Sequence, residues 1–206
     1  LLRRALLGLF GAFPIWLWVF NGSKWNFWAR MTAGAGLLGS YALLSRPALR
    51  KQWPVAKDVL PGMLSAGGLY VIFQIGDRMA RRVMPSGKED IAEIYALRTL
   101  APRAITAALL ITVIGPSEEL FWRGLVQEAF MQRVGRWPGT AASALTYGGV
   151  HLVTGNATLM GAATTAGAYW GIEYAMSPVL GPLLVSHIIW DVWIFLIQPT
   201  PTGASR

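Results

Sequence analysis

Glu118, Glu119 and Arg123 fall within six consecutive positions of an otherwise apolar stretch. On a helix, Glu119 and Arg123 stand at i and i+4, share a face and can pair. Glu118 points about 100° away from Glu119 and stays clear of that ion pair. Two adjacent carboxylates tend to hold a proton between them, and a general base or acid needs that kind of tuning. A packing salt bridge accounts for Glu119 and Arg123 as well as a chemical role does. It does not account for Glu118. The chain has two histidines. His151 follows Tyr147 by four residues and His187 precedes Asp191 by four, so each pair shares a helix face. A lone histidine in such a setting is often a packing residue. Here both lie in apolar stretches, in the same half of the chain as the Glu pair, and none lies in a polar loop.

Hydrolysis of a peptide bond requires parts of these kinds. A water needs a base, and Glu118 or His151 can serve. The oxyanion of the tetrahedral intermediate needs donors, and His187 is one. Asp191 is an orienting carboxylate, and Glu119 with Arg123 holds the helix. Ser117 and Ser186 are nearby in sequence, but neither sits in a Gly-x-Ser-x-Gly setting. Two Glu and two His also make a donor set that zinc accepts with an open water position. Their spacing fits no sequential zinc motif such as His-Glu-x-x-His, so the favoured reading has no metal and no other cofactor. The chain contains no cysteine, which excludes a disulfide framework, a thiolate zinc site and a thiol nucleophile.

The elements that must carry these residues are spanning helices. Of 206 residues, 54% are hydrophobic and 14% are charged, against about 25% charged in a soluble domain. Ten Trp and 23 Gly fit interfacial anchors and close helix contacts. Apolar runs near the length that crosses a bilayer occur at residues 6–20, 27–44, 59–75, 104–131, 139–153, 157–176 and 179–197. The expectation is an all-α, polytopic transmembrane bundle of about seven spans (six to eight), forming one integral-membrane domain over 1–206. Its catalytic core is about 104–198, and 199–206 is expected to be a disordered tail. A helix starting at residue 104 puts residue 118 roughly 21 Å along its axis, where each ionised group costs at least about 2.5 kcal/mol. Ile91, Ile94, Tyr95 and Leu97 recur at helical spacing inside the polar stretch 77–103, which reads as an interfacial amphipathic helix.

The net charge of +8 sits in short loops between apolar runs and makes no stripe, which argues against nucleic acid. A cytoplasmic N-terminus fits Arg3, Arg4 and the basic loop 46–58. It leaves the stretch 77–103 outside, against the positive-inside rule. The first apolar run has no small-residue cleavage site after it and reads as a span. With no initiator Met, the chain is expected to be a fragment or a processed product.

The run Ser117-Glu118-Glu119-Leu120-Phe121-Trp122-Arg123-Gly124 resembles the Glu-Glu-x-x-x-Arg motif of the CAAX-protease and bacteriocin-processing family, which includes the type II CAAX prenyl endopeptidases. Tyr147-Gly148-Gly149-Val150-His151 is similar to its Phe-x-x-x-His motif, and His187-Ile188-Ile189-Trp190-Asp191 to its His-x-x-x-Asn or Asp motif. The three stand in family order over residues 100–198. The resemblance implies a glutamate-dependent intramembrane endopeptidase of a prokaryotic plasma membrane, acting on membrane-associated protein or peptide substrates, of which prenylated CAAX-type proteins are one form. It implies that Glu118 with His151 activates a water, that His187 and Asp191 stabilise the oxyanion, and that Glu119, Arg123 and Tyr147 support the site. Two departures stand out. Tyr147 replaces the usual Phe and adds a hydroxyl donor. Asp191 replaces the Asn of the prenyl-protease branch, so it must be protonated or must orient His187. Competing classes are a non-catalytic membrane protein of the same fold (a transporter, scaffold or immunity-type protein) and a bis-histidine haem protein. The latter has no use for the Glu pair or Arg123.

Overall fold

The structure, a computed structural model, describes residues 1–23 and 26–197. The expected tail, 199–206, lies outside the described residues. Among these residues every regular element is helical. The main helices are α1 (Leu2–Phe20), α2 (Phe27–Ser45), α3 (Ala56–Val83), α4 (Gly87–Ala96), α5 (Arg103–Val134), α6 (Arg136–Gly149), α7 (Ala157–Met176) and α8 (Gly181–Ile197). Each of the seven expected apolar runs is a helix in this set. Three of them, α1, α3 and α5, are long and apolar enough to cross a membrane by length and composition, and α8 is shorter. The fold is an all-α membrane bundle.

The boundaries differ from expectation where local chemistry extends an element. α3 reaches Val83, beyond the apolar run that ends near residue 75. Its added turns carry the Asp77–Arg81 pair at 3.0 Å, and Arg81 and Arg82 lie at its C-terminal end, where the helix dipole favours cations. Asp58 caps its start by accepting from the Val55 N–H at 2.9 Å. The amphipathic helix α4 is short, and Leu97 falls in the 3-10 turn that follows it. Its apolar side chains Ile91, Ile94 and Tyr95 face a cavity inside the protein. Asp90 ties α4 to the start of α7, accepting from the Thr158 N–H at 3.3 Å and the Thr158 hydroxyl at 2.9 Å.

α5 departs most from a regular helix. It widens to π turns at Leu110–Ile114 and Trp122–Gln127, on either side of the α-helical segment Gly115–Phe121 that bears the Glu pair. The first widening has a cause in sequence. Pro116 has no N–H to give the carbonyl of residue 112, and its ring crowds that carbonyl. The register shifts by one, and the Gly115 N–H bonds to the Leu110 carbonyl instead. Single π turns of this kind often occur at functional sites. Nothing in the sequence accounts for the second.

Close packing sets the helix positions. α6 lies along α7, α3 along α8, and α2 along the Glu-bearing segment of α5. At Gly39 of α2, an added Cβ would stand 2.6 Å from Ser117 Cβ and 2.8 Å from its Cα. A small residue is needed there for the helices to approach. Gly39→Val is therefore expected to destabilise the fold by about 1–3 kcal/mol, the range for overpacking. Thermal unfolding in detergent micelles reads this as a lower midpoint. Gly11→Val, where an added Cβ meets nothing within 4 Å, should leave the midpoint unchanged. Equal effects at both sites would contradict the packing assignment.

Candidate active site

Three helices deliver the chemistry-bearing residues. α5 supplies Glu118, Glu119 and Arg123, all buried. α6 supplies Tyr147 and continues into a 3-10 turn, Val150–Thr154, that bears His151. α8 supplies His187 and Asp191. Gly148 lets α6 reach α7, since a Cβ there would collide with Thr164. The tightening to a 3-10 turn begins just after Gly149.

Glu118, Tyr147, His151, His187 and Asp191 all line one cavity of about 600 Å³. Its wall is otherwise largely apolar and is drawn from α1, α2, α3, α4, α5, α7 and α8. Glu119 and Arg123 do not line it. The two adjacent carboxylates are thus divided by the helix itself, one facing the cavity and one facing the packed interior.

Glu118 Oε2 accepts a hydrogen bond of 2.6 Å from the Tyr147 hydroxyl. Its Oε1 takes no protein hydrogen bond among the described residues. His151 Nδ1 lies 2.9 Å from the Tyr147 carbonyl. A carbonyl only accepts, so Nδ1 carries the proton. Tyr147 therefore holds both groups, Glu118 by its hydroxyl and His151 by its backbone. The other ring nitrogen of His151, Nε2, accepts from the indole N–H of Trp16 at 3.2 Å.

Behind the cavity, Glu119 Oε1 accepts from Arg123 Nη1 at 2.9 Å and from His187 Nδ1 at 2.7 Å. Arg123 Nη2 reaches the Ala166 carbonyl of α7 at 3.3 Å, and its guanidinium lies over the rings of Tyr147 and Trp170. Glu119 is fully buried and Arg123 nearly so. His187 stacks on Trp170 with centroids 4.2 Å apart, and its Nε2 stands 3.5 Å from Asp191 Oδ2. Among the described residues, no three His, Asp or Glu side chains are grouped as a metal ion requires.

Other polar residues read from the sequence lie elsewhere. Gln127 bridges α5, α6 and α7 through Thr140 and the Gly171 carbonyl. Ser186 accepts from Trp170 and meets Ser65, which in turn donates to Glu173. Ser117 packs against Gly39. None of these lines the cavity. Sequence reasoning missed Trp16 and Trp170. A signal for Trp16 exists: Gly8, Ala12 and Trp16 form an i+4 row, and its two small residues mark the buried face of α1.

Residues 100–193 match the model of the Rce1-like family, described as type II CAAX prenyl endopeptidase Rce1-like. The matched stretch holds all three motifs and supports CAAX-type proteolysis within a membrane in broad terms. No curated protein and no solved structure matches the chain.

The division of the Glu pair has a consequence for folding. Arg123→Met leaves Glu119 charged and half-paired in the interior, and is expected to cost about 3–5 kcal/mol. Glu118→Gln faces the cavity and should cost under about 1.5 kcal/mol, the scale of a single hydrogen bond. Unfolding midpoints in detergent would show the difference, and equal losses would contradict it.

Proposed function

We propose that the chain is a glutamate-dependent intramembrane endopeptidase, in which a water activated by Glu118 hydrolyses a peptide bond of a membrane-associated substrate. The observation that carries this reading is the convergence of Glu118, His151, His187 and Asp191, from three helices, on one cavity with an apolar wall. The family match over residues 100–193 supports the reaction class.

Glu118 Oε1 takes a proton from the water, and the water oxygen attacks the scissile carbonyl carbon. The Tyr147 hydroxyl on Oε2 fixes the plane of the carboxylate. His151, joined to Glu118 through Tyr147, completes the base side. His187, on the same cavity wall, meets the oxyanion. Its Nδ1–H is committed to Glu119, so the donor is Nε2–H and the ring carries both protons. An ionised Asp191 would repel the oxyanion. A protonated Asp191 turns its own O–H toward it. Charges then balance: Glu118 and Glu119 against Arg123 and the imidazolium of His187. When the intermediate collapses, the C–N bond breaks and the proton held by Glu118 passes to the leaving amine. Preorganised donors in a water-poor cavity supply the stabilisation.

The substrate is a protein or peptide held at the bilayer, of which a prenylated CAAX protein is one form. We assign the catalytic core to residues 104–198 of one integral-membrane domain, and the setting to a prokaryotic plasma membrane.

The test is cleavage of a lipid-anchored peptide by purified protein in micelles. Glu118→Ala is expected to lower kcat at least about 10²-fold, and His151→Ala to lower it as well. Asp191→Asn should retain activity, because an amide N–H replaces the carboxylic O–H. Exhaustive chelation should change nothing. Full activity in Glu118→Ala would remove the mechanism, and a collapse in Asp191→Asn would show that the carboxylate itself is required.

A further inference from the structure

α1 lies outside the segment matched by the family model, yet it makes a direct polar contact with the cavity residues. The Trp16 side chain is fully buried, and its indole N–H points at His151 Nε2 at 3.2 Å. His151 Nδ1 is already the proton-bearing nitrogen, held by the Tyr147 carbonyl. The neutral ring has a single basic lone pair, on Nε2, and Trp16 occupies it. An indole N–H donates and cannot accept, so no proton can pass along this contact. His151 as found cannot take a proton from a water in the cavity.

The surroundings make this contact a defined and movable one. Phe20 packs edge-on to His151 with centroids 5.9 Å apart, and the Asn21 amide donates to the Val153 carbonyl at 3.2 Å. The C-terminal turns of α1 therefore grip the turn that bears His151. Pro14 lies inside α1, two positions before Trp16. It supplies no N–H to the Phe10 carbonyl, so α1 is one backbone hydrogen bond short in the turn just before Trp16, and the C-terminal turns pivot there.

We propose that Trp16 is a latch on His151: its indole N–H masks the one nitrogen able to accept a proton, and a shift of the α1 C-terminal turns unmasks it. Trp16 is a positioning residue that acts through His151, and the proposal rests on the peptidase reading above. Before His151 shares in activating water, the Trp16 hydrogen bond must break. The latch sets how much of the enzyme holds two bases, Glu118 and His151, and how much holds Glu118 alone.

Trp16→Phe tests this, because it keeps an aromatic ring in the packed site and removes the N–H. With two histidines in the chain, ¹⁵N-histidine labelling resolves four ring nitrogens without any substrate. The expected result in Trp16→Phe is a shift of the His151 Nε2 resonance toward that of a free, unprotonated imidazole nitrogen. The unfolding midpoint should stay close to that of the wild type. With the lipid-anchored peptide, kcat is expected to rise about two- to tenfold, the worth of one net hydrogen bond, with KM unchanged. Trp16→His, which restores a ring N–H, should bring kcat back toward the wild-type value. An unmoved nitrogen resonance overturns the latch. So does a moved resonance with kcat unchanged or lowered, and if cleavage then still depends on Glu118, the proposed chemistry stands without the latch. Cleavage that does not depend on Glu118 would overturn the reading of the site, and the latch with it.

Discussion

A carboxylate buried in an apolar bundle must be neutralised by groups that are themselves held in place, and Glu119 is that carboxylate. One of its oxygens receives Arg123 from its own helix and His187 from α8. Arg123 extends the link to α7 through the Ala166 carbonyl. Three helices are thereby fixed to one oxygen atom. Hydrophobic contact between apolar helices is non-directional and would leave their rotations loosely defined in a bilayer, where lipid competes on equal terms. The Glu119 junction is directional. It turns the Glu118 face of α5, the His187 face of α8 and the Trp170 face of α7 toward one another.

The other side of the cavity is organised by a single residue in a different way. Tyr147 holds Glu118 through its side chain and His151 through its main chain. The spacing of those two groups is thus set within one amino acid rather than between two mobile loops. The two centres meet at Arg123, whose guanidinium lies over the Tyr147 ring. α5 passes between both centres, and its π turns on either side of Gly115–Phe121 adjust the angular position of the Glu pair against partners fixed by other helices.

Much of this was legible in the sequence, because ionised groups inside apolar runs are rare and have to be explained. Glu118, Glu119, Arg123, His151, His187 and Asp191 stand out on that ground alone, and their i and i+4 spacings gave the Glu119–Arg123 pair and the facing of His187 toward Asp191. The helices themselves were legible from length and apolar content. What hydropathy does not show is which face of an apolar helix is packed. In α1 both the buried and the outward faces are apolar, so hydrophobicity cannot separate Trp16 from Trp18, which is half exposed. The partner of Glu119 was half visible for the same reason. Arg123 is local and was found, whereas His187 lies 68 positions away and reaches Glu119 through tertiary packing. The extension of α3 to Val83 was hidden because its last turns are polar, and hydropathy ends before the helix does.

The residues around the cavity carry one more consequence, which concerns sidedness. They come from the last turns of α1, α3 and α6, the first turns of α2 and α7, the first half of α5, and the second half of α8. In an alternating bundle those segments all sit at the same end. The cavity and α4 therefore belong to one pole of the molecule. Arg3, Arg4 and the basic turn Pro47–Lys51 belong to the other, together with the Arg46–Glu128 pair. The molecule divides its labour along its long axis: one pole holds the cavity, and the opposite pole joins the helices and anchors them.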